Sequence, residues 1–289
     1  MIKSIFYVAF VAITILSVSC SSSSTKQEDT ANDSYVTKVS TEYGDLELKG
    51  KVKEITIKEY SAHESFGDVV KDDLHRSLKY TFTEDGKVSL EEDHCYGSEE
   101  VLWTAVYSHS DDKTNIDYYY GDEFMDKEII TYTKNGDIIR KALYNADGSE
   151  KYRYEYVYNE DGLLVQETIY AYNQLWRKKN NFKYDENGLL IEYKEYNENG
   201  KLEETKQFEY DELGRKIKEK SKVVYFKNEG ISTYTYNKEG DEALRSFVMG
   251  DERNELREYT YKYDAKGNYV VKYERGTYPE IEERTIVYY

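Results

Sequence analysis

The chain has 289 residues, of which 39% are hydrophobic and 34% charged, with 33 Tyr, 9 Phe and a single Pro. So many aromatic rings exclude a disordered chain, although the polarity is high for a compact domain. A formal net charge of −17 excludes a nucleic-acid partner, whose phosphates need a basic surface, and disfavours lying flat on an anionic membrane.

The first element is MIKSIFYVAFVAITILSVSC. Lys3 gives a positive start, and the apolar run Ile5 to Leu16 is too short for a bilayer, which needs about 20 residues. Small residues Ser17 and Ser19 then lead to Cys20, the pattern of a secretory signal. The segment resembles the lipobox of bacterial lipoproteins, although Ser17 stands where that family usually has Leu, and Leu16 is one place early. The resemblance implies a signal peptide over residues 1–19, lipid attachment at Cys20 and export. It also implies anchoring to the cell envelope, with Ser21 suited to outer-membrane sorting. The membrane is then a partner through the lipid. Residues 20–42 have no apolar periodicity and read as a lipidated Cys and flexible polar tether. Its r.m.s. reach is about 25 Å. With Cys20 lipidated, Cys95 is the one remaining thiol and no internal disulfide forms.

Residues 43–289 read as one repeat domain. An aromatic recurs at Phe82, Tyr107, Tyr132, Tyr158, Tyr184, Tyr210, Tyr236 and Tyr263, with one further step reaching Tyr289. Gly follows four residues later at Gly86, Gly136, Gly162, Gly188, Gly214, Gly240 and Gly267, while Asp111 replaces it after Tyr107. A fixed period of about 26 residues means a repeat architecture. Asp or Asn, two polar residues and Gly is the chemistry of a type I turn closed by a left-handed Gly. A second turn lies between, at Asn145–Gly148 and Asn197–Gly200, so each unit is a β-hairpin.

The strands alternate. KYRYEYVY puts Tyr152, Tyr154, Tyr156 and Tyr158 on one face. The third residue after Gly is apolar (Ile139, Val165, Ile191, Ile217, Ala243, Val270), which predicts an aliphatic ladder beside the aromatic one. Glu192, Lys194 and Lys218 belong to solvated cross-strand pairs. Residues 65–78 have apolar spacing compatible with one helix, or with an irregular excursion. The expected fold is all-β, with about 18 strands of antiparallel hairpins forming one long, curled or superhelical sheet, because flat sheets rarely pass about ten strands.

YDELGR, YDENGL, YNEDGL and YDAKGN resemble the YD or RHS-type repeats of bacterial exported proteins, closest to short lipoproteins made wholly of such hairpins. The resemblance covers about Lys51 to Tyr289. It implies architecture and, loosely, carbohydrate binding, without naming residues. The chain lacks the length and the C-terminal extension of the large toxin-bearing members.

No constellation for catalysis stands out, so no catalytic residue is expected. His63, His75, His94 and His109 have no zinc-finger or HExxH spacing, alternation sends His94 and Cys95 to opposite faces, and no metal or cofactor is expected. YGDEF at Tyr120–Phe124 reads as a turn. The candidate ligand face is tyrosine-rich: Tyr152, Tyr154, Tyr156, Tyr170, Tyr172 and Trp176, able to stack on sugar rings or peptide side chains. The expected function is a non-catalytic, envelope-anchored surface that binds a protein or glycan, or serves as structure. The alternative is a carbohydrate-binding accessory protein or glycan-active enzyme.

Overall fold

The computed structural model describes residues 36–41, 44–94, 97–98, 100–171, 176–250 and 253–289. The expected signal peptide and lipid-attachment residue Cys20, together with Cys95 and Tyr172, lie outside the described residues. Within them there are twenty strands and no helix. The strands open with β1 (Val36–Thr41), β2 (Gly44–Lys49), β3 (Val52–Ser65), β4 (Asp68–Phe82), β5 (Val88–His94), β6 (Val101–His109) and β7 (Lys113–Tyr120). They continue with β8 (Glu123–Tyr132), β9 (Ile138–Asn145), β10 (Glu150–Tyr158), β11 (Leu164–Ala171), β12 (Trp176–Tyr184), β13 (Leu190–Tyr196) and β14 (Leu202–Tyr210). The last six are β15 (Lys216–Val223), β16 (Gly230–Tyr236), β17 (Glu242–Met249), β18 (Arg253–Tyr263), β19 (Tyr269–Arg275) and β20 (Glu280–Tyr288).

Strands β3 to β20 pair antiparallel in chain order, and β20 then pairs with β3, closing a barrel of eighteen strands. This corrects the expectation of a curled or superhelical open sheet. The strand number was right, but the two edges meet. Closure removes the unpaired edge groups that an open sheet would expose. A circular section of eighteen tilted strands would be roughly 35 Å across, wide enough for an interior that side chains do not fill.

What bends the sheet is a regular β-bulge. Tyr158 pairs with Leu164, whereas Val157 pairs with Gln166, so Val165 is skipped. The same shift skips Ser89, Ile139, Ile191, Ile217, Ala243 and Val270. A bulge kinks its strand and increases twist, so these seven, with further ones such as that between β13 and β14, add curvature along the sheet, although β6 and β7 pair without one. The predicted aliphatic ladder therefore sits on the bulges, where Ile139 and Ile217 are exposed. The packed residues are one place earlier, among them Leu164 and Leu190, both buried.

The turns form as the sequence predicts. Gly162 N–H donates to Asn159 O at 3.1 Å, and Asn159 N–H donates to Leu163 O at 2.9 Å. Gly162 has φ 77°, the left-handed region that a Cβ resists. The Asn159 side chain accepts from Asp161 N and Leu163 N. The turn after Tyr107 shortens to Ser110–Lys113. YGDEF is the turn between β7 and β8, with Gly121 at φ 55°.

Two further expectations change. Residues 65–78 are not helical. They form the tip and second arm of the β3–β4 hairpin, whose bulges near Tyr60 disguise its alternation. Residues 36–41, read as part of the tether, form β1, paired with β2.

Leu48 of β2 is fully buried in a cluster with Ile55, Ile57, Leu78, Tyr80 and Phe82 of β3 and β4. These wall residues are on the inner face, so the β1–β2 hairpin lies inside the barrel. Asn268 pins it: Lys49 N–H donates to Asn268 Oδ1 at 2.7 Å, and Asn268 Nδ2 donates to Lys49 O at 2.8 Å.

The outer face is charged. On neighbouring strands it carries Lys179 and Lys183, then Glu192 and Lys194, then Glu209, then Lys218 and Lys220. Lys194 pairs with Glu192 at 2.8 Å and Lys218 with Glu209 at 3.2 Å. On a lipid-facing wall each such charge would cost about 2–4 kcal/mol at the bilayer midplane.

Candidate functional site: the tyrosine-lined inner wall

Register decides which side chains share the interior. Tyr152, Tyr154, Tyr156 and Tyr158 of β10 face Ala171, Ile169, Glu167 and Leu164 of β11. Ile169 and Glu167 in turn face Lys178 and Asn180 of β12, and Asn180 faces Glu195 of β13. On the other flank Tyr154 faces Lys141 of β9, which is ion-paired to Glu128 of β8 at 3.2 Å.

The six candidate ligand residues therefore divide. Tyr152, Tyr154 and Tyr156 are together on the inner wall. Tyr170 is on the outer face, its ring under the Arg153 guanidinium at 4.3 Å. Trp176 takes an inner register position. The face that each residue of β11 and β12 shares with β10 could not be followed from sequence, so residues close in the chain were read as one cluster.

Much of the tyrosine is structural. Tyr158 Oη donates to Ile138 O at 2.8 Å, Tyr184 to Leu164 O at 2.8 Å, Tyr210 to Leu190 O at 2.7 Å and Tyr236 to Lys216 O at 2.6 Å. Each acceptor is the carbonyl just before a bulge, in the preceding repeat. The recurring Tyr thus ties each hairpin to the one before it.

The wall above these ties is different. Tyr154 Oη has no hydrogen-bond partner among the described residues. Burial and the Glu167 and Glu128 carboxylates push its phenol up to about 12. Burial also raises Glu167, against the opposing hydrogen bond from Asn180 Nδ2 at 2.6 Å. Asn180 is fully buried, and its Oδ1 has no donor. Lys178 pairs with Glu195 at 2.6 Å, and Tyr193 Oη donates to Glu195 at 3.2 Å. On the opposite arc Glu91 accepts from both Tyr80 and Tyr107, at 3.1 and 2.9 Å, and burial raises its pKa.

The histidines are spread out. His63 contacts Asp72 at 2.8 Å, and His109 bonds Val88 O at 2.7 Å and Thr114 Oγ1 at 2.9 Å, a strand-to-strand tie. Among the described residues no group of three or more His, Cys, Asp or Glu could hold a metal ion.

No protein-family model and no curated protein matches the sequence. Among solved structures the chain is similar to a porin-like protein from Bacteroides uniformis, with 14% identity over 82% of this chain and 98% of that one, and a TM-score of 0.46. It is also similar to a porin-like protein from Bacteroides vulgatus, with 11% identity over 83% and 99% of the two chains and a TM-score of 0.37. A third is the TcdB2-TccC3-Cdc42 complex, with 12% identity over 78% of this chain and 15% of that one, and a TM-score of 0.34. That complex is of the RHS/YD-repeat type, and the likeness to it is weak. Nothing about pores or partners passes from these likenesses to this chain.

Proposed function

We propose that this protein is a non-catalytic binding barrel, tethered to a bacterial envelope through Cys20, whose inner wall receives a glycan. The observation that carries the reading is strand β10. Tyr158 is needed to cap a bulge, but that need does not extend to Tyr152, Tyr154 and Tyr156, which stand in line on the inner wall. Tyrosine rings flanked by carboxylates and an ammonium group offer stacking surfaces and hydrogen bonds for sugar rings and hydroxyls. The described chain begins at Val36, paired with Lys49 at the Asn268 rim. A tether would therefore join there and turn the opposite rim away from the membrane.

The test is a glycan array read with the intact protein, followed by calorimetry on Tyr154→Ala. Saturable binding that falls at least about tenfold, with the fold retained, supports the reading. Binding unchanged by the substitution, or no glycan bound, removes it.

A second reading, a protein-docking scaffold, is favoured by the distal rim. Phe66, Tyr120, Phe124, Tyr225, Phe226 and Tyr278 are exposed there, Phe66 completely. Exposed aromatics gathered at one end suit a protein interface. A single partner recovered by pull-down and lost with Phe66→Ser and Phe226→Ser would favour it.

A further inference from the structure

We infer that the inner wall at β17 and β18 holds a carboxylate-binding site, and that its ligand is an acidic sugar such as a hexuronate. This deepens the glycan reading above and rests on it.

The register sets Arg245 of β17 directly opposite Arg257 of β18, and Phe247 opposite Glu255. The four side chains line a cleft of about 290 Å³, close to the volume of a single-ring ligand site. Two guanidinium groups facing each other across a strand pair are destabilising unless something lies between them. Arg257 has its own partners, Glu274 at 2.9 Å and Glu255 at 3.8 Å. Arg245 has none. Its guanidinium rests over the Tyr234 ring at 5.4 Å, and no carboxylate among the described residues lies within 4.0 Å of it.

The other inner-wall cations differ. Lys141, Lys178, Lys272 and Arg284 are each ion-paired with a wall glutamate. Arg245 also remains exposed although it is on the inner wall, so solvent reaches it through the lumen.

The local backbone makes room for this arrangement. Gly230 of β16, in register with Met249 and diagonal to Phe247, leaves room for the Phe247 ring: a Cβ there would stand 2.9 Å from the ring and 2.7 Å from Ser221 Oγ. The Phe247 ring can therefore lie against the wall beside the cleft as an apolar platform.

Charge balance selects the ligand. Glu274 and Glu255 both contact Arg257, so Arg245 is the one guanidinium of the cleft without a carboxylate in contact. A monoanionic carboxylate supplies that contact, whereas a dianionic phosphate brings excess negative charge beside Glu255. The planar guanidinium fork suits bidentate carboxylate binding. Glu255 can accept hydrogen bonds from ring hydroxyls, and Phe247 can take the apolar face of the sugar.

The test is calorimetric titration of the intact protein with methyl glucuronide, methyl glucoside and inorganic phosphate. Glucuronide is expected to bind saturably, and glucoside and phosphate at least tenfold more weakly. Arg245→Gln should lose at least tenfold in glucuronide affinity with an unchanged melting temperature. Arg245→Lys, which keeps the charge and loses the fork, should fall between. Glucuronide affinity unchanged in Arg245→Gln overturns the inference, as does phosphate binding as tightly as glucuronide or no glucuronide binding. Neutral-glycan binding that still responds to Tyr154→Ala would then leave the broader reading standing. Loss of all sugar binding would remove both.

Discussion

Tyr210 shows what one residue does in this chain. It ends a strand, buries a ring against Leu190 and Phe208, and donates its hydroxyl to the Leu190 carbonyl beside the bulge. Tyr210→Phe keeps the ring and removes the donor. The expected cost is about 1 kcal/mol, the net worth of one buried hydrogen bond, read as a lower urea midpoint at unchanged slope. The neighbouring Gly214, at φ 76°, is equally constrained: Gly214→Ala forces an L side chain into the left-handed region at about 1–2 kcal/mol. Burial also raises the phenols of Tyr158, Tyr210 and Tyr259 to about 12. Their folded pKa exceeds the ordinary value of 10, so the stability they hold at neutral pH is lost as pH rises through roughly 10 to 12. Phenolate absorbance should therefore lag behind that of free tyrosine and then climb together with unfolding.

At the scale of elements, the turn chemistry was legible because Asn or Asp and Gly act within five residues. The bulge was not, because it is a property of two strands in register, and no residue type marks the skipped position. The ladder of third residues was consequently placed one residue away from the packed one. The β1–β2 hairpin was hidden for another reason. Its sequence is polar, and only the tertiary fold brings Leu48 to Ile55, Leu78 and Tyr80. Leu48→Ala should cost about 2–5 kcal/mol, the range for emptying a well-packed site. Asn268→Ala, which removes both hydrogen bonds to Lys49, should loosen the same hairpin. Faster amide exchange in residues 44–49 than in β3 would check this.

For the whole molecule, closure is the decisive contact. Tyr288 pairs with Val52 across a bulge that skips Lys53, and Tyr289 N–H donates to Lys51 O at 3.0 Å. Tyr288, and not Tyr289, thus occupies the turn-aromatic position, and Gly50, at φ 90°, occupies that of the repeat glycine. The last hairpin is split between the two ends of the domain. A chain stopped at Gly276 lacks β20 and leaves β3 and β19 as open edges. Aggregation and loss of a cooperative melt are expected by size-exclusion and calorimetry. The buried glutamates set the acid behaviour. Burial raises Glu59, Glu91, Glu167, Glu204, Glu242 and Glu274. The folded barrel thus holds their protons more tightly than the unfolded chain does, and stability falls as pH rises through their folded values. In Glu219 and Glu282 burial is outweighed by Lys216 and by Arg284 with Lys272, which hold them below the ordinary range. Their contribution is present above the unfolded value and lost as pH falls through the depressed one. The melting temperature should therefore peak in the ordinary range of glutamate titration and decline on both sides.

The sequence by itself determined the repeated hairpin, its period, its turns and the number of strands in the barrel, since each depends on contacts within one repeat. The alternation of KYRYEYVY was likewise enough to place four tyrosines on one face. Whether the hairpins coil onward or meet was a tertiary matter. It depends on the curvature each bulge adds, summed over all the repeats, until β20 reaches β3. The same closure decided which face became the interior, and so turned a tyrosine ladder into a wall and put on the inside the Arg245–Arg257 pair that the β17–β18 register sets opposite. Local chemistry repeats along the chain, but curvature accumulates, and only the completed ring fixes what the repeated residues face.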